Sequence, residues 1–468
     1  MKNKNTMFVV AAAQSMLRIA KKRLLNYDRD INKYVEAFCN KGLISFGLNL
    51  NSKTSRDNVF LKDRYVKNVG KFLTKYYDIS KIRNSIDLFI DSGGYQVSCG
   101  YIKKELIPDF ISAYTDFLNQ YDFDYAFSLD IPHLPDLKTR EELFNLNIRA
   151  YNLIDNILPE KRNKLYFVSH FRTTELEKVW NRIIFETDIL KKYHNYAIGG
   201  LVSSQPATKR LQFNLYTLGI LQIIFGLGKS LPDPFNFHIL GSATAKNIIY
   251  NAMIKKHIKE LFNLKEVNLT FDSSTVFSKV QMSRIFTYFD EKTKRVIDVS
   301  LKSSELDNIN KFIGKTNREI VIEVLEKIFE FSNIDMKDAL PSTEMIRTIY
   351  CEDTNTIHRE LLPYILAMES YALNKITEYV VNDISEELYH YYKTGNDHMF
   401  MVILNNIFKT FNTKKNNTAK SISIKTSMDT ISRFVEDKTK DDLLKYFETL
   451  SITLDTENTV LNNQRFII

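Results

Sequence analysis

Cysteine is nearly missing from this chain. There are three in 468 residues, Cys39, Cys99 and Cys351, far apart and odd in number. That argues against a disulfide framework and for a reducing compartment such as the cytoplasm. Cys351 has His358 nearby but no second thiol, so a tetrahedral zinc site is not expected, and no other metal or cofactor is called for. No run of about 18 apolar residues occurs, so neither a spanning helix nor a membrane partner is expected. Neither GxGxxG nor GxxxxGK[ST] follows any strand-like segment, which leaves a dinucleotide or P-loop site without support. No internal repeat is evident. The apolar run from Met7 to Ala13, behind Lys2 and Lys4, has the outline of a secretion signal. It is short, continues into Gln14 and Ser15, and then meets Arg18, Lys21, Lys22 and Arg23, so a first strand or buried helix is expected instead.

What is present describes a soluble globular protein: 44% apolar and 26% charged residues, over a length that suits two domains. The net charge of +8 is unevenly placed. Residues 1–90 carry 18 Lys and Arg against 7 Asp and Glu, and the stretch from Met399 to Met428 has five lysines (Lys409, Lys414, Lys415, Lys420, Lys425) and no acid. Clustered positive charge suits a polyanion such as nucleic acid; a solvated lysine-rich surface is the plainer alternative.

Short apolar segments alternate with amphipathic ones along the first 300 residues. Strands are expected at Leu43–Gly47, Leu88–Asp91, Tyr125–Asp130, Lys164–His170, Tyr196–Leu201, Phe237–Ser242 and Val267–Asp272. Helices are expected between them, for example Glu105–Tyr121, whose Ile107, Phe110, Ile111, Tyr114, Phe117 and Leu118 share one face. An eighth strand is sought either at Arg295–Ser300 or in the N-terminal stretch. This alternation implies parallel pairing, and seven or eight repeats imply an α/β fold of the (β/α)8 TIM barrel type. Residues 1–300 are therefore read as a barrel with a basic N-terminal region, and 301–468 as an added, mainly helical C-terminal domain with possible nucleic-acid contact. In that second part, Thr316 and Glu319 make a capping-box signal. Helices are expected at Leu361–Val381, Ser385–Tyr392, Met399–Phe411 and Thr430–Leu450, with a lysine-rich loop over Asn412–Ser427.

Parallel barrels place their chemistry at the C-terminal ends of the strands. Those ends here are Asp91, Asp130, Ser169 with His170, Gly199 with Gly200, Gly241 with Ser242, and Asp272. A single strand-end Asp is most often a turn or helix-cap residue. Three on one rim are harder to assign that way. Two carboxylates flanking a glycosidic bond can break it with retention, one attacking the anomeric carbon and the other handling protons. In Asp91-Ser92-Gly93-Gly94-Tyr95-Gln96, two glycines turn the chain beside a carboxylate and put an aromatic ring and an amide on the far side. A further acid, turn N–H donors and a flat ring fit the edge and face of guanine.

Asp91-Ser92-Gly93-Gly94-Tyr95-Gln96-Val97 resembles the DSGGYQ signature of the tRNA-guanine transglycosylases, the queuine tRNA-ribosyltransferases. The likeness continues in order. Ala126–Asp130 is similar to that family's strand ending in a base-reading Asp, and Tyr196–Leu201 resembles its GGL turn. Leu240-Gly241-Ser242 is similar to its later Gly-containing strand end, and Phe271-Asp272-Ser273 sits where the family has its nucleophile. The match runs from Leu88 to Ser273. It implies Asp272 as the nucleophile and Asp91 as the general acid/base. It implies Tyr95 stacking on the base, Asp130 binding its N1 and amino edge, and the Gly200 N–H holding O6. Ser92, Gly93, Gly94, Gln96, Ser169, His170, Gly199, Leu201 and Gly241 would complete the substrate site. A homodimer is a further implication.

The chain also departs from the family. Ser169-His170 stands where the family has Gln-Gly, with His170 either a substitute reader or a wall residue. The closely spaced cysteines and histidine that bind zinc in the tRNA enzymes have no counterpart. Loss of that docking segment points to the divergent phage and bacterial relatives that exchange guanine in DNA for a 7-deazaguanine base. DNA is thus the expected partner, with tRNA the first alternative, a nucleoside hydrolase-like glycosidase the second and a non-catalytic binding module the third.

Overall fold

The computed structural model describes residues 7–11, 41–49, 62–76, 86–131, 139–170, 174–199, 212–241, 243–273, 285–331, 355–411 and 417–449. Eight parallel strands form one sheet: β1 (Phe8–Val9), β2 (Lys41–Ser45), β3 (Asp87–Asp91), β4 (Tyr125–Phe127), β5 (Leu165–His170), β6 (Asn195–Gly199), β7 (Phe235–Ile239) and β8 (Val267–Asp272). From β2 to β8 each pairs with its sequence neighbour, and β1 pairs with β8, placing Val9 opposite Asp272. On the other side Val10 bridges Gly42, donating its N–H to Lys41 O at 2.8 Å and accepting from Leu43 at 3.0 Å. The sheet closes into a (β/α)8 barrel. The eighth strand comes from the N-terminal apolar run; Arg295–Ser300 takes no part in the barrel.

Helices α1 (Lys62–Tyr76), α2 (Gly94–Ser98), α3 (Ile107–Gln120), α4 (Arg140–Tyr151), α5 (Thr174–Glu186), α6 (Gln212–Gly226) and α7 (Ala245–Leu261) lie between the strands. The six apolar residues expected on one face of α3 are all buried. None of the helices among the described residues is long and apolar enough to cross a membrane.

Alternation along the strands divides the barrel interior into three levels. At the N-terminal mouth Lys41 pairs with Asp87 at 2.9 Å, and amides run from Asn268 through Asn236 to Asn195 across three strands. Above them lies an apolar plug of Val9, Leu43, Phe89, Phe127, Tyr166, Val168 and Ala197. Its rings pack tilted, Phe89 on Tyr125 at 4.9 Å and Phe127 on Tyr166 at 5.2 Å. Two residues beyond Phe89 on the same face comes Asp91, and two beyond Thr270 comes Asp272. The pleat itself therefore lifts those acids to the rim.

After β8 the chain forms an antiparallel hairpin, β9 (Ile285–Asp290) with β10 (Arg295–Ser300). The hairpin packs against the helices that follow, α8 (Asn317–Phe331) and α9 (Asn355–Tyr379). Thr287 Oγ1 donates to Glu369 at 2.7 Å, Tyr288 OH to Glu323 at 2.9 Å, and Phe289 lies 5.7 Å from Tyr379. β9 was not expected, and the C-terminal part thus opens with a strand pair before residue 301. The Thr316–Glu319 capping box forms as expected, with the Glu319 N–H donating to Thr316 Oγ1 at 3.2 Å and the Thr316 N–H to Glu319 at 2.7 Å. Then come α10 (Ser385–Lys393), α11 (Asp397–Thr410) and α12 (Asn417–Asp437). Residues 417–427, expected as loop, are the start of α12; 412–416 lie outside the described residues. The reason is a face made partly of hydroxyls: buried Ser421 and Ser427 sit among Ile424, Met428 and Ile431, with Ser421 Oγ donating to Asn405 at 2.9 Å.

The C-terminal helices cover the outer faces of α6 and α7. Lys229 donates to Val435 O and Lys438 O at 2.8 and 2.7 Å, closing the end of α12. Buried His257 lies between Tyr389 OH at 3.4 Å and Ser432 Oγ at 3.1 Å, and burial holds it down to about 4, so it is neutral. Because α6 is buried on both sides, it is apolar around most of its circumference, while α7 also buries Asn247, Asn251 and His257.

Candidate active site

The turn after β3 is built by exclusion. Gly93 has φ +86°, and a Cβ there would stand 2.7 Å from Gly47 Cα. A Cβ on Gly94 would stand 2.2 Å from the carbonyl oxygen of Asp130. Two backbones therefore close on the turn, from Gly47 on one side and the β4 loop on the other. Only glycine permits that approach.

Asp91 keeps a little exposure at the rim, but its carboxyl is walled in. Burial pushes it up from 3.8 to about 6, with the charges of Asp130 and Asp272 adding to the rise. The Ser45 hydroxyl, aligned with it across β2–β3, and the Gly93 N–H pull the other way. The three acids expected on one rim thus stand close enough to feel one another.

Asp130 lies three residues past Phe127, in a loop pinned at several points. Asn147 on α4 accepts from Ile131 N–H at 2.9 Å and donates to its carbonyl at 3.0 Å. Tyr114 OH donates to Phe127 O at 2.7 Å, and Val168 N–H to Ser128 Oγ at 3.2 Å. Asp130 itself is buried, and its Oδ2 meets Nε2 of His170 at the end of β5. Gly199 gives that imidazole room, since a Cβ there would stand 3.0 Å from Cε1. Nδ1 of His170 is buried with no partner among the described residues.

Asp272 is held from two directions. Gly241, at φ +77°, donates its N–H to Oδ1 at 3.0 Å, and Nε2 of His238 lies 3.2 Å from the same oxygen. Nδ1 of His238 lies 2.8 Å from Thr270 Oγ1. The network assigns the proton to Nε2, with Thr270 donating to Nδ1. His238 is fully buried in the aromatic plug, its ring 4.7 Å from Phe127. Oδ1 carries both contacts, and Oδ2 has none among the described residues.

The other expected residues divide. Ser92 is buried, its hydroxyl without a partner among the described residues. The Gln96 side chain turns toward Gly47, with Oε1 also buried and unpartnered. Tyr95 is in α2, but its side chain, like the whole of Gly200, Leu201 and Ser242, lies outside the described residues. Ser169 is a correction. On β5 the parity that turns Tyr166, Val168 and His170 inward turns Ser169 outward, and its hydroxyl donates to Gln222 of α6 at 2.6 Å. It belongs to the helical layer and not to the rim.

Sequence reasoning missed Ser45, Asn147 and His238. Ser45 and His238 had a signal in strand parity, each standing two residues past an inward position. Asn147 had none, because its role is set by a loop distant in sequence. A surface groove between α3 and α4, lined by Ser112, Asp116, Asn145 and Arg149 among others, shares no residue with the rim. No protein-family model matches the chain, and no curated protein does either.

Proposed function

We propose that this chain is a base-exchange transglycosylase, which removes guanine from a polynucleotide and installs a 7-deazaguanine on the same sugar through a covalent aspartyl–glycosyl intermediate. The observation that carries the reading is the unequal treatment of the rim acids. Asp91 is pushed up to about 6, while Asp272 has one oxygen tied to two donors and the other without a hydrogen bond among the described residues. Acids whose environments differ in this way suit different roles in one reaction.

In the first half, Oδ2 of Asp272 attacks C1′ as the C1′–N9 bond breaks, and the bonding pair leaves with guanine. Protonated Asp91 gives its proton to the departing base. In the second half, N9–H of the incoming 7-deazaguanine loses its proton to Asp91, N9 attacks C1′, and the C1′–O pair returns to Asp272. Two inversions give retention. The donors on Oδ1 stabilise the carboxylate each time it is released.

Asp130 would read the N1 and amino edge of guanine, with His170 holding it as an acceptor. DNA is favoured over tRNA because a hairpin and helices, without the family's cysteine set, follow the barrel. A duplex would have to yield its base from the stack at a cost of about a few kcal/mol. The reading makes Asp272→Asn decisive. Wild-type protein mixed with guanine-containing DNA and denatured should carry a protein–DNA adduct by mass spectrometry, and Asp272→Asn should carry none. Full exchange by Asp272→Asn would overturn the mechanism. Label entering tRNA only would overturn the DNA substrate, and guanine release without an incoming base would favour a hydrolase.

A further inference from the structure

We propose that His238 is a positioning residue that keeps the covalent intermediate short-lived, by making Asp272 a better leaving group than an unassisted aspartate. The inference rests on the exchange reading above and concerns its second half, in which the protein lets go of the DNA.

His238 reaches Asp272 because of where β7 places it. In the ladder it stands opposite Ala197 of β6 and Thr270 of β8. The small side chain of Ala197 leaves room on one side. On the other, the same face of β8 carries Asp272 two residues beyond Thr270. The imidazole is fully buried, with the rings of Phe127, Phe89 and Tyr166 at 4.7, 6.0 and 6.2 Å. Those rings hold its plane, and Thr270 Oγ1, 2.8 Å from Nδ1, holds its tautomer. Nε2 is left as the donor, 3.2 Å from Oδ1 of Asp272, and the Gly241 N–H reaches the same oxygen at 3.0 Å.

The two donors act unequally on the two forms that Asp272 takes during exchange. Before attack it is a carboxylate, and Oδ1 carries part of the charge. Bonded to C1′ through Oδ2 it is a neutral ester, and Oδ1 is the ester carbonyl oxygen. A hydrogen bond to a charged acceptor is about twice as strong as one to a neutral acceptor. The pair therefore stabilises the released carboxylate more than the adduct. In the second half N9 bonds to C1′, the C1′–Oδ2 bond breaks, its electron pair returns to the carboxylate, and the N9 proton passes to Asp91. No proton moves on His238. It meets the charge that builds on Oδ1, as donors at an oxyanion site do. Removing it should shift the balance toward the adduct, which is the opposite of what loss of a structural support would do.

The test mixes full-length protein with a guanine-containing DNA duplex, denatures samples over time, and measures the protein–DNA adduct by intact mass. Excess free guanine is then added and the loss of adduct is followed. His238→Phe and His238→Leu both remove the donor, one overfilling the aromatic plug and the other underfilling it. In both, the ratio of adduct to unmodified protein should rise about tenfold or more, and the chase should slow by about tenfold or more. His238→Gln, which can bring an amide N–H to the position of Nε2, should stay within about threefold of wild type. Adduct and exchange falling together in the Phe and Leu variants would overturn the inference, since that is the behaviour of a residue needed only for packing. Glutamine behaving like leucine would overturn it too. A wild-type ratio and chase rate in both apolar variants would sink the role of His238 and leave the exchange reading standing. Wild-type protein that forms neither adduct nor exchanged base, on DNA or on tRNA, would overturn both.

Discussion

Asp91→Asn should make the protein more stable and less active, by amounts that follow from its surroundings. The carboxyl rises from 3.8 to about 6 because burial and two neighbouring acids oppose its charge. One pKa unit corresponds to about 1.4 kcal/mol, so ionised Asp91 costs the folded state about 3 kcal/mol above pH 7. Ser45 and Gly93 favour the charged form, and asparagine recovers that only in part, so a net gain of about 1–3 kcal/mol is expected. The pH dependence is the sharper test. The native pKa lies above the unfolded one, so the native state keeps its proton longer. Stability from this group is therefore full below about pH 4, falls as pH rises toward 6, and stays low beyond. Asparagine does not titrate. The gap between variant and wild type should thus widen by about 1.4 kcal/mol from pH 5 to pH 8, while exchange falls at least about a hundredfold. Denaturant unfolding of both proteins at the two pH values reads the gap directly. A gap that is flat or narrows with pH would refute the assignment of Asp91 as a charge held at a loss.

Three further outcomes follow from the surroundings of particular residues. Gly94→Ala puts a methyl 2.2 Å from Asp130 O, backbone against side chain with no slack, so a loss of at least about 1–3 kcal/mol is expected in thermal or denaturant melts. Gly228→Ala, with nothing within 4 Å and only a φ of +64° against it, should cost about 1 kcal/mol in the same assay. His170→Ala leaves Asp130 without its partner and should raise the KM for guanine about tenfold while changing kcat less. A fall in kcat with KM unmoved would instead assign His170 to the chemistry.

The barrel was legible because its signals are local and repeated. Strand parity, helix periodicity and strand-end acids are all visible in windows of a few residues. What the sequence hid was whatever depends on a surface covered from outside. The apolar circumference of α6 makes sense only once the C-terminal helices lie on it. The serines of α12 read as loop because their hydroxyls are satisfied inside a helix bundle by Asn405 and by the backbone. β9 was missed although Ile285–Asp290 is rich in aromatic and β-branched residues, because its partner Arg295–Ser300 was considered only as a barrel strand and not as half of a hairpin. At the rim, Asp91, Asp130 and Asp272 were all visible. Ser169 was placed wrongly because adjacency to His170 was allowed to outweigh the two-residue period.

The three acids also show why a motif alone under-determines a site. Each of Asp91 and Asp272 is an aspartate ending a parallel strand, two residues past an inward-facing one, and nothing in that description separates them. The separation comes from what neighbouring strands supply. Asp272 receives an imidazole from β7 and a left-handed glycine N–H from the loop after it, two donors that fix one of its oxygens. Asp91 has the Ser45 hydroxyl and the Gly93 N–H lowering it and two more carboxylates raising it, with burial dominating all of them. His238 is therefore as informative about the proposed reaction as either acid. It sits in the hydrophobic plug, where an imidazole would be costly unless both nitrogens were used, and both are: one toward Thr270, one toward Asp272. A purely structural barrel has no need of a polar ring at that depth, whereas a barrel that must hold one aspartate in a fixed orientation at its rim does.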